Sequence, residues 1–352
     1  MENQIYKILC YFCTKLNSLL MTENNFSELG RIEAIAKLYK ETPYEAIKNN
    51  RFHSSGKAYI SHFSKVFLEG VDFDLVYFPL QHLGYKCVTA VVGELYAQLA
   101  SPRTLSVQLG ISSKLDFNHI KTLWSGIVTA AKEHGVENVA LDLNPSRNGL
   151  VISISGTGET ACSLVEKRPS PASKDLICIS GSLGGAFLGM QVLEQGRRDF
   201  DKNNSQPKLE KYRMMIASYL KPEISPSTIS HLEETGILPS TGYLVSKGLS
   251  DTIKKIVRDT GLGAKIYADK IPFEGNSFEL GKEMDIDPIS AAMNGGEDYR
   301  LLFTIPIMQL ESFRRDFQTF DIIGHLALPE VGAVLVTPEG IEHPMKSQGW
   351  RE

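Results

Sequence analysis

The chain has 352 residues, 42% of them hydrophobic and 22% charged, with a net charge of −4. That length accommodates two domains with separate cores, and the composition is that of a folded globular protein, not a disordered one. The slightly acidic balance excludes a general nucleic-acid binder, which would carry a basic face.

The first twenty residues, MENQIYKILCYFCTKLNSLL, hold an apolar run broken by Lys15 and Asn17, too short and too polar to span a membrane. They read as an extra helix or as the product of an upstream start codon, so residues 1–21 stand as an N-terminal extension. Cys10 and Cys13 form a C-x-x-C, a spacing shared by redox and zinc sites. No second C-x-x-C follows and the flanks are apolar, which favours a buried helical face. The five cysteines are odd in number and scattered, and with no secretory pattern they point to a reducing, cytoplasmic setting.

From Phe26, FSELGRIEAIAKLY carries apolar residues at Leu29, Ile32, Ile35, Ala36 and Tyr39, a helical stripe with Ser27 as its cap. Residues 58–68 predict a strand, Gln81–Leu99 a helix, Thr104–Ile111 a strand and Phe117–His134 a helix stopped by Gly135. VENVALDL then predicts a buried strand carrying Asp142, and Leu150–Glu159 another strand. This alternation is that of a mixed α/β domain over residues 22–165. Glu166 to Asp175, EKRPSPASKD, is the linker by composition. A second α/β domain, 176–352, opens with a strand, the turn GSLGG and a helix. That turn suits close strand–helix packing better than anion binding, since it lacks the lysine of a P-loop. Arg197 to Lys208 predicts a mobile loop. Helices are expected around 212–220, 226–234 and 248–259, and strands at 264–267, 300–303 and 333–336. His82 and His134 read as helix-surface or cap residues, and no nucleophile–histidine signature stands out.

The most informative stretch is NGGEDYRLLFTIP, Asn294 to Pro306. Gly295 and Gly296 supply a turn open to unusual backbone angles, and Glu297 and Asp298 stand at the mouth of an apolar strand, where charge can meet a metal or polar ligand. The bland alternative is a turn followed by solvated acids.

This stretch closely resembles the GGEDYELLFT signature of the thiamine-monophosphate kinases, within the AIR-synthase-related (PurM-like) superfamily. Other islands are similar in the same order: VFLEGVDF (Val66–Phe73) to LVEGVHF, GYKCVTAVVGELYAQLASP (Gly84–Pro102) to GWKALAVNLSDLAAMGAxP, and VALDLNPSRNGLVISISGTGE (Val139–Glu159) to VGGDTTRSPGLVISVTALGE. DLICISGSLGGAFLGM resembles DLIYVTGPLGDAAAGL, and YLVSKGLSDTI (Tyr243–Ile253) sits where the family has IDISDGLxxDL. IGHLALPEVGAVL and the closing GWRE match its final strand and tail. The resemblance implies a two-domain α/β (α+β) AIR-synthase-like fold. Its N-terminal mixed sheet would close a β-barrel across a homodimer, with a C-terminal α/β domain alongside. It also implies ATP and Mg²⁺ in the cleft, and transfer of the γ-phosphoryl group to thiamine monophosphate.

Phosphoryl transfer rests on positioning and on metal ions that neutralise phosphate charge, and magnesium needs several oxygen ligands. Here the family's carboxylates are depleted. Its Gly-Asp-Asp loop has no counterpart in EAIKNNRFHSSG (Glu45–Gly56), which contains no aspartate. The aspartate before LVEGVHF is Lys65, the Asn and Asp of NLSDL are Val91 and Glu94, and the two aspartates of DISDG are Leu244 and Lys247, leaving Ser246 and Gly248. Glu69, Glu94, Asp142, Glu297 and Asp298 remain. By resemblance Asp142 and Glu94 are the catalytic and metal-binding candidates. Lys65, Glu69, Ser246, Lys247, Gly295, Gly296, Glu297 and Asp298 are the candidates for ligand or phosphate contact. Taken singly, Lys65 and Lys247 also read as plain surface lysines; on two metal positions they favour phosphate binding without metal. Three functions follow: a phospho-ligand-binding relative with weakened or lost Mg²⁺-dependent transfer, an active thiamine-monophosphate kinase, and a structural dimer module. The first is favoured, with a small phosphorylated molecule and a second copy of the chain as partners, and no nucleic acid or membrane.

Overall fold

In the computed structural model, residues 51–53, 58–204 and 209–346 are described, with single positions at 38, 40 and 42. The Phe26–Tyr39 segment apart from Leu38, the Cys10–Cys13 pair, the 1–20 extension, most of EAIKNNRFHSSG and the GWRE tail lie outside the described residues.

The first sheet has strands β1 (Arg51–His53), β2 (Ala58–Leu68), β3 (Ser101–Ser112), β4 (Asn138–Ser146) and β5 (Val151–Ala161). Their order is β1-β2-β5-β3-β4, with only the β3–β4 pair parallel. Strand β5 alternates without a break: Ile152, Ile154, Gly156, Gly158 and Thr160 point inward while their neighbours face out. That is the two-residue period of a sheet with one covered face.

The cover is helix α1 (Leu80–Ala97), with helix α2 (Phe117–Glu133) packed against its side. A Cβ on Gly84 would stand 2.2 Å from Leu123 O, and one on Gly126 would stand 1.9 Å from Gln81 O, so the two helices meet backbone to backbone. Asp116 caps α2 by accepting from His119 N–H at 2.9 Å. Helix α1 is apolar on every side, and each residue from Leu83 to Gly93 is buried. Such a helix needs a partner on both faces. It finds the first sheet on one face and the second sheet on the other, where Gly242 lets a strand come within a would-be 2.1 Å of Ala97 O.

The second sheet comprises β6 (Leu176–Ser180), β7 (Thr241–Val245), β8 (Gly263–Tyr267), β9 (Arg300–Ile305), β10 (Phe320–Ala327), β11 (Ala333–Val336) and β12 (Glu342–Pro344), in the order β12-β11-β8-β10-β6-β9-β7. Its face toward α1 carries Cys178, Leu244, Leu301, Phe303 and Ile305 into one core with the first sheet. The opposite face joins Ile177, Ile179, Val245 and Leu302 to a core with helix α7 (Leu249–Thr260). The remaining helices are α3 (Cys162–Lys167), α4 (Gly185–Asn203), α5 (Arg213–Leu220), α6 (Thr228–Thr235), α8 (Ser277–Glu283), α9 (Pro288–Asn294) and α10 (Leu310–Asp316). Residues 168–175 join the two sheets and are pinned. Arg168 Nε donates to Pro239 O at 2.8 Å, and the buried Asp175 carboxylate takes Ser240 Oγ–H at 2.7 Å.

Two expectations need correction. Arg197–Asn203 are helical, not a loop: they end α4, with pairs Arg198–Glu194 and Arg197–Asp201 one turn apart and Asn204 left-handed after them. Strand β4 is not buried in this chain but is an edge strand, with Leu141 42% and Leu143 51% exposed. Its VALDL pattern looked internal because such a run does not distinguish a core strand from an apolar edge. His134 does follow α2 as its cap, but it is buried, with Nδ1 3.0 Å from the Tyr96 hydroxyl.

Candidate functional site

Helix α9 begins with Asp287 accepting from Ser290 N–H and with Pro288 in its first turn, and it ends into the NGGEDY segment. Gly296 (φ 78°), Glu297 (φ 69°) and Tyr299 (φ 48°) all take left-handed backbone angles. For the two non-glycine residues this costs about 1–3 kcal/mol each, and it persists only where surrounding contacts hold it. One tie is Glu297 N–H to Ser246 O at 3.0 Å, which fastens the turn to the loop after β7.

The turn sends its side chains in two directions. Asp298 points onto α4, its two carboxylate oxygens accepting from Gly184 N–H (3.0 Å) and Ala186 N–H (3.2 Å). The buried acid thus satisfies the first N–H groups of a helix that lies 114 positions earlier in sequence. Burial nevertheless lifts its pKa to about 6, against the pull of those donors.

Glu297 and Tyr299 point the other way, toward helix α1 and strand β2. Lys86 Nζ lies 2.9 Å from Glu297 Oε2, donates to Tyr219 O at 2.8 Å and sits 3.8 Å from the centroid of the Tyr219 ring. Lys65 Nζ donates to the Tyr299 hydroxyl at 2.7 Å, and that hydroxyl faces Glu297 Oε2 at 3.3 Å. Lys65 Nζ also lies 4.7 Å from the ring centroids of both Phe67 and Tyr299, in cation–π range. Burial would raise the Glu297 pKa, yet the ammonium groups of Lys86, Lys65 and Lys247 hold it down at about 2. Burial brings Lys65 down to about 8, partly opposed by Glu297 and reinforced by Lys247. Lys247 is half-exposed at the rim, 3.9 Å from Asp72 Oδ1, while Asp72 Oδ2 accepts from Leu68 N–H at 2.9 Å.

Lys65, Ser246, Lys247, Gly295, Gly296 and Glu297 therefore gather around one cluster. Glu69 is occupied nearby, accepting Leu150 N–H at 2.6 Å at the start of β5. Asp142 is elsewhere. Register places Lys65 against Ile154, Ile154 against Val107 and Val107 against Leu141, so Asp142 lies about three strand spacings from β2, or roughly 14 Å. Its carboxylate accepts from Asn144 Nδ2 at 2.8 Å on the exposed edge. Glu94 is on α1, two turns beyond Lys86. Among the described residues, no three His, Cys, Asp or Glu side chains group as a metal site. Among the described residues, the acids near the turn are held by ammonium groups or backbone N–H.

Sequence reasoning missed Lys86, Tyr299, Tyr219 and Asp72. The signal for Lys86 was present, since a lone lysine inside the apolar run GYKCVTAVVG requires a buried counter-charge.

Residues 54–160 match the family described as AIR synthase related protein, N-terminal domain. The chain is 26% identical over 241 residues to a thiamine-monophosphate kinase of Pyrococcus horikoshii, covering 67% of this chain and 70% of that one. It is 24% identical over 238 residues to the thiamine-monophosphate kinase of Aquifex aeolicus, covering 68% and 73%. In three dimensions, the AaThiL chain solved with AMPPCP and TMP superposes with a TM-score of 0.78 at 21% identity, over 94% of this chain and 99% of that chain. The E. coli hydrogenase maturation protein HypE superposes at 0.63 with 14% identity, over 83% and 87%. The mixed α/β fold with two sheets is that of these proteins. The order of matching islands, the family match and the shared fold agree: residues 54–160 carry an AIR-synthase-related N-terminal domain, and the chain is similar in sequence and fold to the thiamine-monophosphate kinases.

Proposed function

We propose that this chain binds ATP or another small phosphorylated molecule beside Lys65 and Lys247, with Mg²⁺-dependent phosphoryl transfer weakened or lost. The observation that carries this reading is the state of the acids around the NGGEDY turn. Glu297 is matched by Lys86 and Lys65, Asp72 has Lys247 beside it, and Asp298 is used as a helix cap. A cage for a divalent cation needs carboxylates with free oxygens, whereas a phosphate needs donors and positive charge. The half-exposed Lys247 offers the latter. The test is calorimetric titration with a non-hydrolysable ATP analogue, with and without Mg²⁺. Binding indifferent to Mg²⁺ is expected; tight binding that requires Mg²⁺ would overturn the reading.

The active thiamine-monophosphate kinase is the second reading. It is supported by similarity to such kinases over about two thirds of the chain, by the retained Asp142, and by an acid, Glu94, at the position of the family's aspartate. Turnover abolished by Asp142→Asn would establish it.

We also propose that the working form is a homodimer closed through the first sheet. Supporting it are the open edge of β4 and an apolar hollow of about 350 Å³ beside it, lined by Ile111, Leu115, Phe117, Trp124, Leu141 and Leu143. Leu143→Lys should shift the sedimentation coefficient to that of a monomer; an unchanged dimer would discard this interface.

A further inference from the structure

A cavity of about 570 Å³ opens where the end of β6 and the start of β9 face helices α6 and α10, away from the lysine cluster. Its volume suits a small organic ligand. Its carboxylates are already matched: Glu223 pairs with Lys221 at 2.7 Å, and Asp316 with Arg315 at 2.9 Å. His231 is also engaged, with Nε2 2.8 Å from Asp316 O and its ring 4.5 Å from that of Phe317. It forms a wall rather than a charge.

Arg300 differs from all of these. It is half-buried, and its Nε donates to Ser182 O at 3.2 Å, a neutral carbonyl. Among the described residues no carboxylate lies within ion-pair distance of its guanidinium, which leaves the terminal N–H groups without an anionic partner. The guanidinium lies against Gly181, where an added Cβ would stand 3.4 Å from it, and both residues line the cavity. The buried Asp298 feels the Arg300 charge but forms no ion pair with it, so a guanidinium taken partly out of water here still has N–H groups that a bound anion could complete.

The hydroxyls around it have hydrogens to spare. Ser180 Oγ accepts from Leu301 N–H at 2.9 Å, which leaves its own O–H to donate. Ser225 and Ser227 are 2.9 Å apart, so one hydroxyl hydrogen serves the pair and the other is free. A cavity with one guanidinium free of an ion pair and two free hydroxyl donors is complementary to a tetrahedral oxyanion. The family signature also has Glu where this chain has Arg300, so the charge here is inverted in this sequence.

The structure assigns this cavity as a phosphate-binding site centred on Arg300, separate from the lysine cluster and taking either free phosphate or a small phosphate ester. The test follows the His231 ring by NMR in ¹³C-histidine-labelled full-length protein, its signal assigned with His231→Gln. Inorganic phosphate and ribose 5-phosphate are titrated separately at constant ionic strength, with chloride as the reference salt. Saturable shifts are expected with at least one of the two, and the tighter of them identifies the source. Arg300→Gln should weaken that binding about tenfold or more, as loss of a charge-assisted hydrogen bond does. Lys247→Ala should leave it unchanged. A response no different from chloride, or equal affinity in the Arg300→Gln protein, overturns the assignment. Should Arg300→Gln not fold, the triple change S180A/S225A/S227A decides: weaker binding sustains the site and unchanged binding removes it.

Discussion

Lys86 Nζ and Glu297 Oε2 stand 2.9 Å apart, and through them the centre of helix α1 is joined to the signature turn 211 positions later. Both side chains are largely buried, at 2% and 15% exposure. Removing one partner strands the other charge in the core, whereas replacing both with apolar groups need not. Lys86→Met or Glu297→Gln alone should therefore cost about 3–5 kcal/mol in urea unfolding, and the double variant should recover much of it. Additive losses would mean that the two groups are not coupled.

Acid titration separates the two neighbours of the turn. Glu297, held at about 2 against an ordinary 4.5, adds stability that is present above pH 4.5 and lost as pH falls toward 2. Asp298, raised to about 6 from 3.8, acts in the opposite sense, since the folded state holds its proton more tightly and stability drops as pH rises from 4 to 6. Each is on the order of 3 kcal/mol by linkage. Asp298→Asn should flatten the pH 4–6 limb and Glu297→Gln the limb below 4.5. The opposite assignment in the two stability profiles would refute this account.

Asp298 also serves as a cap. Asp298→Ala leaves the N–H groups of Gly184 and Ala186 without their acceptor inside the protein, a loss of about 1–3 kcal/mol at neutral pH. Amide exchange at those two residues should accelerate more than exchange in α2, which the substitution does not touch.

Gly126 stands where a methyl group would meet Gln81 O at 1.9 Å, backbone against backbone. Gly126→Ala should separate α1 from α2 and destabilise the protein by about 3 kcal/mol despite the higher helix propensity of alanine. A neutral or stabilising effect in thermal unfolding would contradict the packing described.

Lys247→Ala should leave stability within about 0.5 kcal/mol, because its nearest acid is 3.9 Å away and the side chain is 46% exposed. It should still weaken Mg²⁺-free nucleotide binding and reduce its salt dependence. Unchanged affinity in calorimetry would remove Lys247 from the ligand site.

Much of the fold was legible because it is written in local periods. The alternation in β5 and the apolar run of α1 predict strand and helix from side-chain spacing alone. Short elements such as β7, α8 and α9 were not anticipated, since at five to seven residues they are set by tertiary contacts. The signature turn was visible as a place but not as a mechanism. Nothing local in GGEDY says that Asp298 turns onto α4 while Glu297 turns onto Lys86, because that division is made by left-handed angles at Gly296, Glu297 and Tyr299. Asp142 and Lys65 were grouped through resemblance, and strand order sets them apart within one chain.

Enclosure of α1 between the two sheets has a consequence for motion. Its central residues, Leu83 to Gly93, are enclosed by both sheets and by α2, so their amides reach solvent only when those elements part. Hydrogen exchange in the centre of α1 should therefore be among the slowest of the described residues and report the opening of the whole structure rather than of a part. The helix is the clasp on which the slow motions of both halves depend.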